Sequence, residues 1–300
     1  MKTLVVVNPN ASHGESGKDF ETTVKGMIRE RLGNFDLHVT TGQGDAMSFV
    51  SDHGDYERII SVGGDGTLNE VVNGIMNSQS GAMLGMIAVG SGNDFARSIG
   101  LTRNYGKMVD IACGNKTRYV DLFEVRYRTF SGEKAARFAV NVVGAGFDAA
   151  VTNRMNRSRF KTSGKMAYLL SFLIEFLTTR TYKLNYTIDG GEFSDRYYFL
   201  TMGNGNYFGG GMRIAPNAVV DDGLIDIVGV TNMAKIRLLY HFPKIYKGEH
   251  LKIDTVCHHV SERISVSSDR DVIIQMDGEV VGELPMEISV HKKALCILSA

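Results

Sequence analysis

The sequence contains no tryptophan, four prolines and three cysteines in 300 residues, and it carries no formal net charge. Each scarcity excludes something. Cys113, Cys257 and Cys296 are odd in number, widely spaced and form no CxxC pair, which excludes a disulfide framework and a cysteine-based zinc site and fits a reducing compartment. Basic and acidic residues balance at 33 each. That balance removes the global field nucleic-acid binding requires, so no nucleic-acid partner is expected and attraction to an anionic surface must be local. Long apolar runs are also missing. The N-terminal MKTLVVVNPN has an apolar core of four residues, too short for a secretory leader. The longest apolar stretch, 166–177, is broken by Ser171 and Glu175 and falls short of the roughly 18 residues a spanning helix needs. The expectation is a cytoplasmic protein whose membrane contact is peripheral, with length enough for two domains.

The most informative stretch present is 61–70, SVGGDGTLNE. Ile59, Ile60 and Val62 read as the end of a buried strand, Gly63, Gly64 and Gly66 as a tight turn, and Thr67 as a helix N-cap. Glu70, three residues on, would complete a capping box. Leu68, Val71, Val72, Ile75 and Met76 then recur at helical spacing. A strand, a glycine turn and a helix N-terminus present backbone N–H groups and partial positive charge, a setting for phosphate. Asp65 would repel a phosphate unless a cation stood between them, which points to a magnesium-nucleotide. The plain alternative is a structural turn with a solvated aspartate.

Residues 4–7 read as a buried parallel strand, 8–17 as a polar loop and about 19–31 as a helix. A P-loop is excluded because Ser12 and Asp19 stand where that pattern needs Gly and Ser or Thr. Further strands are expected at 35–40, ending at Val62, and at 86–89. Each leads through a polar loop into a helical pattern: TGQGDA at 41–46 and GSGNDF at 90–95. In the latter, Ser91 offers a hydroxyl and Asn93 and Asp94 read as caps. Strands alternating with helices imply a doubly wound parallel sheet whose loops converge at the carboxyl ends of the strands.

From about residue 116 the pattern becomes strand-rich, with strands at 119–126, 137–143, 182–188, 196–202, 225–230, 272–276, 286–290 and 294–298. Gly144, Gly146 and Ala149 satisfy the dinucleotide fingerprint, but no acidic residue follows at about 20 positions, so a dinucleotide is not expected there. Arg154, Arg157, Arg159, Lys161 and Lys165 precede the apolar 166–177 and read either as a solvated face or as an interfacial contact. A second basic face is expected over 235–252, where Lys235, Arg237, Lys244, Lys247 and Lys252 meet only Glu249. Asp221, Asp222 and Asp226 in DDGLID suit either a hard cation or a polar turn. Cys257, His258 and His259 alternate across a strand and are not expected to share a metal. Asp277-Gly278 reads as a hairpin tip, with Asp277 and Glu279 as its carboxylates.

In order along the chain stand NPNASHG, TGQGDA, GGDGTLNEV, GSGNDFAR and, near the end, MDGE. In this combination the chain resembles the diacylglycerol kinase catalytic family, in particular its soluble bacterial members, which also look like sphingosine kinases, over essentially its whole length. GGDGT alone is shared with NAD kinases and phosphofructokinases; GSGNDFAR and DGE narrow the resemblance. It implies an α/β plus all-β protein: a doubly wound nucleotide-binding domain over 1–120, completed by 285–300, and a β-sandwich lipid-substrate domain over 121–284. Nucleotide contacts would fall on Asn8, Pro9, Asn10, Ala11, Ser12 and Thr40, on Gly63, Gly64, Asp65, Gly66, Thr67, Leu68, Asn69 and Glu70, and on Ser91 and Asn93. A structural magnesium site would use Asp222 with the backbone oxygens of Val219 and Leu224. The general base would be Asp277 or Glu279, with Asp65 organising the catalytic Mg2+. Lys165, with Arg157 and Arg159, would meet the lipid interface. ATP and Mg2+ are the implied cofactors, a lipid alcohol the acceptor, an anionic membrane surface the peripheral contact, and a homodimer is left open. Two alternatives stand beside this reading: an NAD kinase with a soluble acceptor, and a nucleotide-binding regulatory module without turnover.

Overall fold

The computed structural model describes residues 1–90, 92–147, 149–152 and 180–300, with the side chains of Ser12, His13 and Glu15 also outside the description. Ser91, Arg157, Arg159 and Lys165 therefore lie outside the described residues. The chain forms two compact units, one of Met1–Leu122 with His291–Ala300 and one of Phe123–Val290.

In the first unit, β1 (Thr3–Val7), β2 (Asp36–Val39), β3 (Arg58–Gly63) and β4 (Met83–Ala88) pair in parallel in the order β2-β1-β3-β4, and Ile297 pairs in parallel with Leu84 of β4. Every residue of β1 and β3 is buried, as expected of strands covered on both faces, whereas β2 lies at the edge and leaves Leu37 and Val39 exposed. Helices cover this sheet. The run after β1 is helical as α1 (Glu15–Asp19), a π turn over Phe20–Val24 and α2 (Lys25–Leu32). It packs Phe20, Val24 and Ile28 against Val5, Val7, Ile60 and Val62, beside Met108, Val109 and Ala112 of α6 (Tyr105–Cys113). Three further helices follow strand ends: α3 (Asp45–Asp52), α4 (Asp65–Ser78) and α5 (Asp94–Ser98). At the amino end of β3 the fully buried Arg58 donates through Nη2 to Gly114 O at 2.6 Å and Asn115 Oδ1 at 3.2 Å.

The second unit is a β-sandwich of antiparallel pairs. β5 (Thr117–Arg128) enters from the first unit and pairs with β6 (Lys134–Ala139). β7 (Val142–Gly146) lies between β9 (Gly191–Gly203) and β13 (Ile273–Met276), and β10 (Ile225–Thr231) lies between β9 and β11 (Val256–Ser261). β8 (Tyr182–Ile188) and β12 (Arg263–Ser268) join β9 to β14 (Glu279–Leu298), a strand that runs on into the first unit. Alternate residues of these strands, among them Val125, Leu184, Leu200, Val266, Ile274 and Ile288, fill the core. α7 (Lys235–His241) follows β10.

One sequence expectation changes here. The single strand expected over 137–143 is two, β6 and β7, because the N–H groups at 140–142 turn away from the ladder toward Asp277. Of the dinucleotide-like glycines, Gly144 lies within β7 and Gly146 is its last residue, followed directly by a helical residue at 147. Gly146 has φ of 107°, and a Cβ there would stand 2.7 Å from Tyr198 O, so glycine is required by strand packing.

Candidate active site

The carboxyl ends of β1, β3 and β4 are tied side by side, with Asn8 N–H donating to Val62 O at 3.0 Å and Val89 N–H to Gly63 O at 2.9 Å. Thr40, buried just past β2, donates its N–H to Val7 O at 2.8 Å. Four polar loops therefore leave one edge of the sheet. Within the first of them, Asn8 Oδ1 accepts from Asn10 N–H at 3.0 Å, Ala11 N–H reaches Asn8 O, and Pro9 packs against Gly17.

Asn8 also donates through Nδ2 to Thr67 Oγ1 at 3.0 Å, joining the first loop to α4. The capping box expected from Thr67 and Glu70 does not form. α4 begins at Asp65 with Gly64 in the N-cap position and without a side-chain cap, so Thr67 sits at the third helical residue and Glu70 at the sixth. Glu70 serves a different helix: its Oε1 accepts Gly44 N–H at 2.8 Å and its Oε2 accepts Ala46 N–H at 3.2 Å, at the start of α3. Leu68, Asn69 and Glu70 are all buried and support the loop from below.

Glycine is needed where the third and fourth loops meet. A Cβ on Gly63 would fall 2.6 Å from Thr67 Oγ1, and one on Gly90 would fall 2.7 Å from Gly64 Cα. Across this junction Asp65 accepts the N–H groups of Asp94 (3.2 Å, Oδ2) and Phe95 (3.3 Å, Oδ1), capping α5 from outside. Asn93 occupies the N-cap position with φ of 53°, yet its side chain holds the loop: Oδ1 accepts Gly90 N–H at 2.8 Å and Nδ2 donates to Ala88 O at 3.2 Å. Gly63, Gly64, Asp65, Ala88 and Asn93 border a small open cleft. In the second loop Asp45 is held below the usual carboxylate range by the backbone and hydroxyl hydrogen bonds of Thr41.

In the second unit, Asp277 (φ 49°) and Gly278 (φ 88°) form the two-residue turn of the β13–β14 hairpin, both in the left-handed conformation that such turns favour. Asp277 is buried and accepts three backbone N–H groups: Asn141 and Val142 at 2.9 Å on Oδ1, Val140 at 2.8 Å on Oδ2. Glu279 pairs with Arg137 at 2.7 Å. Sequence reasoning missed Arg137 as well as Asn141 and Asn204. Asn141 donates through Nδ2 to Tyr207 O at 2.9 Å, and Asn204 through Nδ2 to Val140 O at 2.7 Å, which fixes the strand break that Asp277 binds. The signal available was two buried asparagines, each beside a glycine or valine run.

Asp222 and Val219 share one turn, with Asp222 N–H at 3.5 Å from Val219 O and Asp222 Oδ1 accepting Leu224 N–H at 3.0 Å. Asp226 does not join them. It is buried in β10 against His258 at 2.8 Å, and burial raises its pKa. His259 packs on Phe193 at 4.8 Å between ring centroids, so the Cys257-His258-His259 run is divided between two faces. Among the described residues no group of three or more His, Cys, Asp or Glu side chains is placed to hold a metal. An open apolar pocket in the second unit is bordered by Phe147, Phe199, Met212, Leu238 and Ile245, with His241 and His250 as its polar members. His250 is buried, donates through Nε2 to Ile214 O at 2.9 Å, and is lowered in pKa by burial. Among the described residues no helix is long and apolar enough to cross a membrane.

The first unit is an α/β domain with a glycine-bearing strand-to-helix junction, and the second is a β-sandwich. Residues 2–125 match the diacylglycerol kinase catalytic domain, and residues 141–299 match the YegS C-terminal NAD kinase beta sandwich-like domain. The chain is 31% identical over 246 residues to a diacylglycerol kinase of Mycobacterium tuberculosis, covering 81% of this chain and 76% of the relative. It is 28% identical over 254 residues to a diacylglycerol kinase of Bacillus subtilis, covering 83% and 80%. A crystal structure of a diacylglycerol kinase from Bacillus anthracis superposes with a TM-score of 0.76 at 21% identity over 100% of this chain and 97% of that one, a likeness of fold. The chain belongs to the diacylglycerol kinase family.

Proposed function

We propose that the protein transfers the γ-phosphoryl group of ATP to the free hydroxyl of diacylglycerol or a related lipid. The observation that carries this reading is the junction of β3 and α4. There a 14-residue helix starts after Gly64 without a side-chain cap, and a Cβ on Gly90 would fall 2.7 Å from Gly64 Cα, so the fourth loop can approach the third only as glycine at that position. Phosphates are held in such places by backbone N–H groups and the helix dipole. Asn8, Thr67 and Asn93 set the loops; Asn10, Ala11, Thr40 and Ser91, the last outside the described residues, would complete the nucleotide contacts.

Bound Mg2+ would neutralise phosphate charge in a loose transition state, in which positioning matters more than strong proton abstraction. An ionised carboxylate presents about four acceptor positions, so Asp65 can hold the start of α5 and a cation's water shell together. Asp222 with the carbonyls of Val219 and Leu224 is an all-oxygen set suited to a hard cation that keeps several waters. Of the two candidate bases, Glu279 fits better, because Asp277 is committed to three backbone amides that fix the hairpin. The open apolar pocket beside the helical segment suits an acyl chain and does not suit the polar body of NAD, which favours the lipid acceptor over an NAD kinase.

The test is label transfer from γ-labelled ATP to short-chain diacylglycerol in detergent micelles. Label in the lipid product supports the reading. Label on NAD, or ATP binding without transfer to any acceptor in a broad panel, overturns it. Asp65→Asn is expected to lower kcat by about 10²-fold or more, the scale of losing one preorganised charge contact; unchanged turnover would remove Asp65 from its assigned role.

A further inference from the structure

We propose that α7 and the 3₁₀ turn that follows it, Phe242–Lys247, form a docking surface for an anionic bilayer. α7 has no buried residue, although four of its seven are apolar or aromatic. Ile236 is 76% exposed and Tyr240 77%, and Leu239 and Tyr246 are exposed beside them. These are four of the eleven large hydrophobic residues exposed among the described residues, gathered within eleven positions. Scattered exposed hydrophobics need no explanation, but a gathered patch marks a contact.

The same segment gathers charge. The whole chain is neutral, yet 235–252 holds Lys235, Arg237, Lys244, Lys247 and Lys252 against Glu249. Arg237 is paired with Asp254 at 2.6 Å. Cations bordering exposed aliphatic and aromatic side chains are the pattern of an interfacial element, where apolar groups enter the headgroup boundary and cations meet anionic lipid. A second copy is a poor occupant, because it would set two like-charged faces together. The alternate positions of the segment, Leu238, His241, Phe242 and Ile245, border the open apolar pocket of the second unit. One short element thus presents one side to solvent and lines the pocket with the other, so a bilayer seated on it lies next to the pocket wall. The inference borrows from the lipid-kinase reading only the idea that an acyl chain reaches that pocket.

The experiment uses the full chain with phosphatidylcholine vesicles, with and without about one-third phosphatidylglycerol. Co-sedimentation with the anionic vesicles is expected. The pair Ile236→Asp with Tyr240→Asp, and separately Lys244→Glu with Lys247→Glu, should each weaken it about tenfold or more. Thermal melting should not move, since Ile236 and Tyr240 are exposed. The chain has no tryptophan, so Tyr240→Trp places a single reporter on the patch; its emission should shift to the blue on anionic vesicles. Undiminished vesicle affinity in both pairs, or unshifted emission in vesicle-bound protein, would overturn the proposal. So would a dimer lost in the aspartate pair with vesicle affinity intact, which assigns the patch to a second copy. Phosphorylation of a soluble short-chain diacylglycerol without vesicles should be unaffected by these variants. Its absence in the parent protein would remove the lipid-kinase reading and leave the vesicle result standing.

Discussion

Asp277 and Glu279 stand two positions apart and meet different neighbours. The Asp277 carboxylate spans three N–H groups from the break between β6 and β7, whereas Glu279 faces the guanidinium of Arg137. Asp277→Asn would turn an amide NH2 toward at least one of those backbone donors, leaving a buried group unsatisfied. The expected cost is about 1–3 kcal/mol of stability, read as a lower urea midpoint. Glu279→Gln keeps shape and removes the acceptor's charge. We expect its melting temperature to stay close to the parent's while kcat falls by about 10²–10⁴-fold, the usual contribution of a general base. Loss of turnover in Asp277→Asn at full stability, with Glu279→Gln active, would reverse the assignment.

At the scale of elements, the helices of the first unit are capped by their neighbours. Glu70 of α4 binds the start of α3, and Asp65 of α4 binds the start of α5. One helix thereby sets the position of two loops that leave the strand ends. Glu70→Gln places an NH2 group against Gly44 or Ala46 N–H and should cost about 1–3 kcal/mol. Because α3 and its loop would loosen, the KM for ATP should rise more than kcat falls; an unchanged KM at lowered stability would confine Glu70 to a structural role. The sequence showed the helix and its apolar face through the spacing of Leu68, Val71, Val72 and Ile75. It did not show this exchange of caps. A capping box is a local pattern, whereas Glu70 acts across 26 and 24 residues of sequence. The break at 140–141 was hidden for the same reason: Ala139, Val140, Val142 and Val143 read as one strand interrupted only by Asn141, and the carboxylate that opens it lies about 136 residues away.

At the scale of the molecule, the balance of charge conceals opposed local behaviour. Burial and the neighbouring His258 lower the pKa of His250 and of His259 in the second unit. A histidine whose folded pKa lies below its unfolded value binds its proton first in the unfolded chain. Its contribution to stability is therefore whole above about pH 6.5 and is lost as pH falls toward the folded pKa. Melting temperature should fall as pH drops from 7 toward about 5, and His250→Gln should flatten that slope. A slope unchanged by His250→Gln would place the dependence elsewhere.

The sequence by itself determined an α/β region followed by a strand-rich one, since the change from alternating strand and helix patterns to strands alone needs only local periodicity and turn chemistry; that the strands form a sandwich was implied by the family resemblance. It also determined the order of the glycine loops and the Asp-Gly hairpin, because glycine and aspartate report backbone conformation directly. Only the tertiary structure decided which carboxylates are spent on the backbone. Asp65, Glu70, Asp226 and Asp277 look alike as letters, and each is distinguished by partners distant in sequence: a helix start, a loop, a histidine on the next strand, three amides at a strand break. The patch on α7 belongs to that second category. Its cations are legible in order, but that Ile236 and Tyr240 face solvent follows from packing, which turns Leu238 and His241 toward the apolar pocket instead.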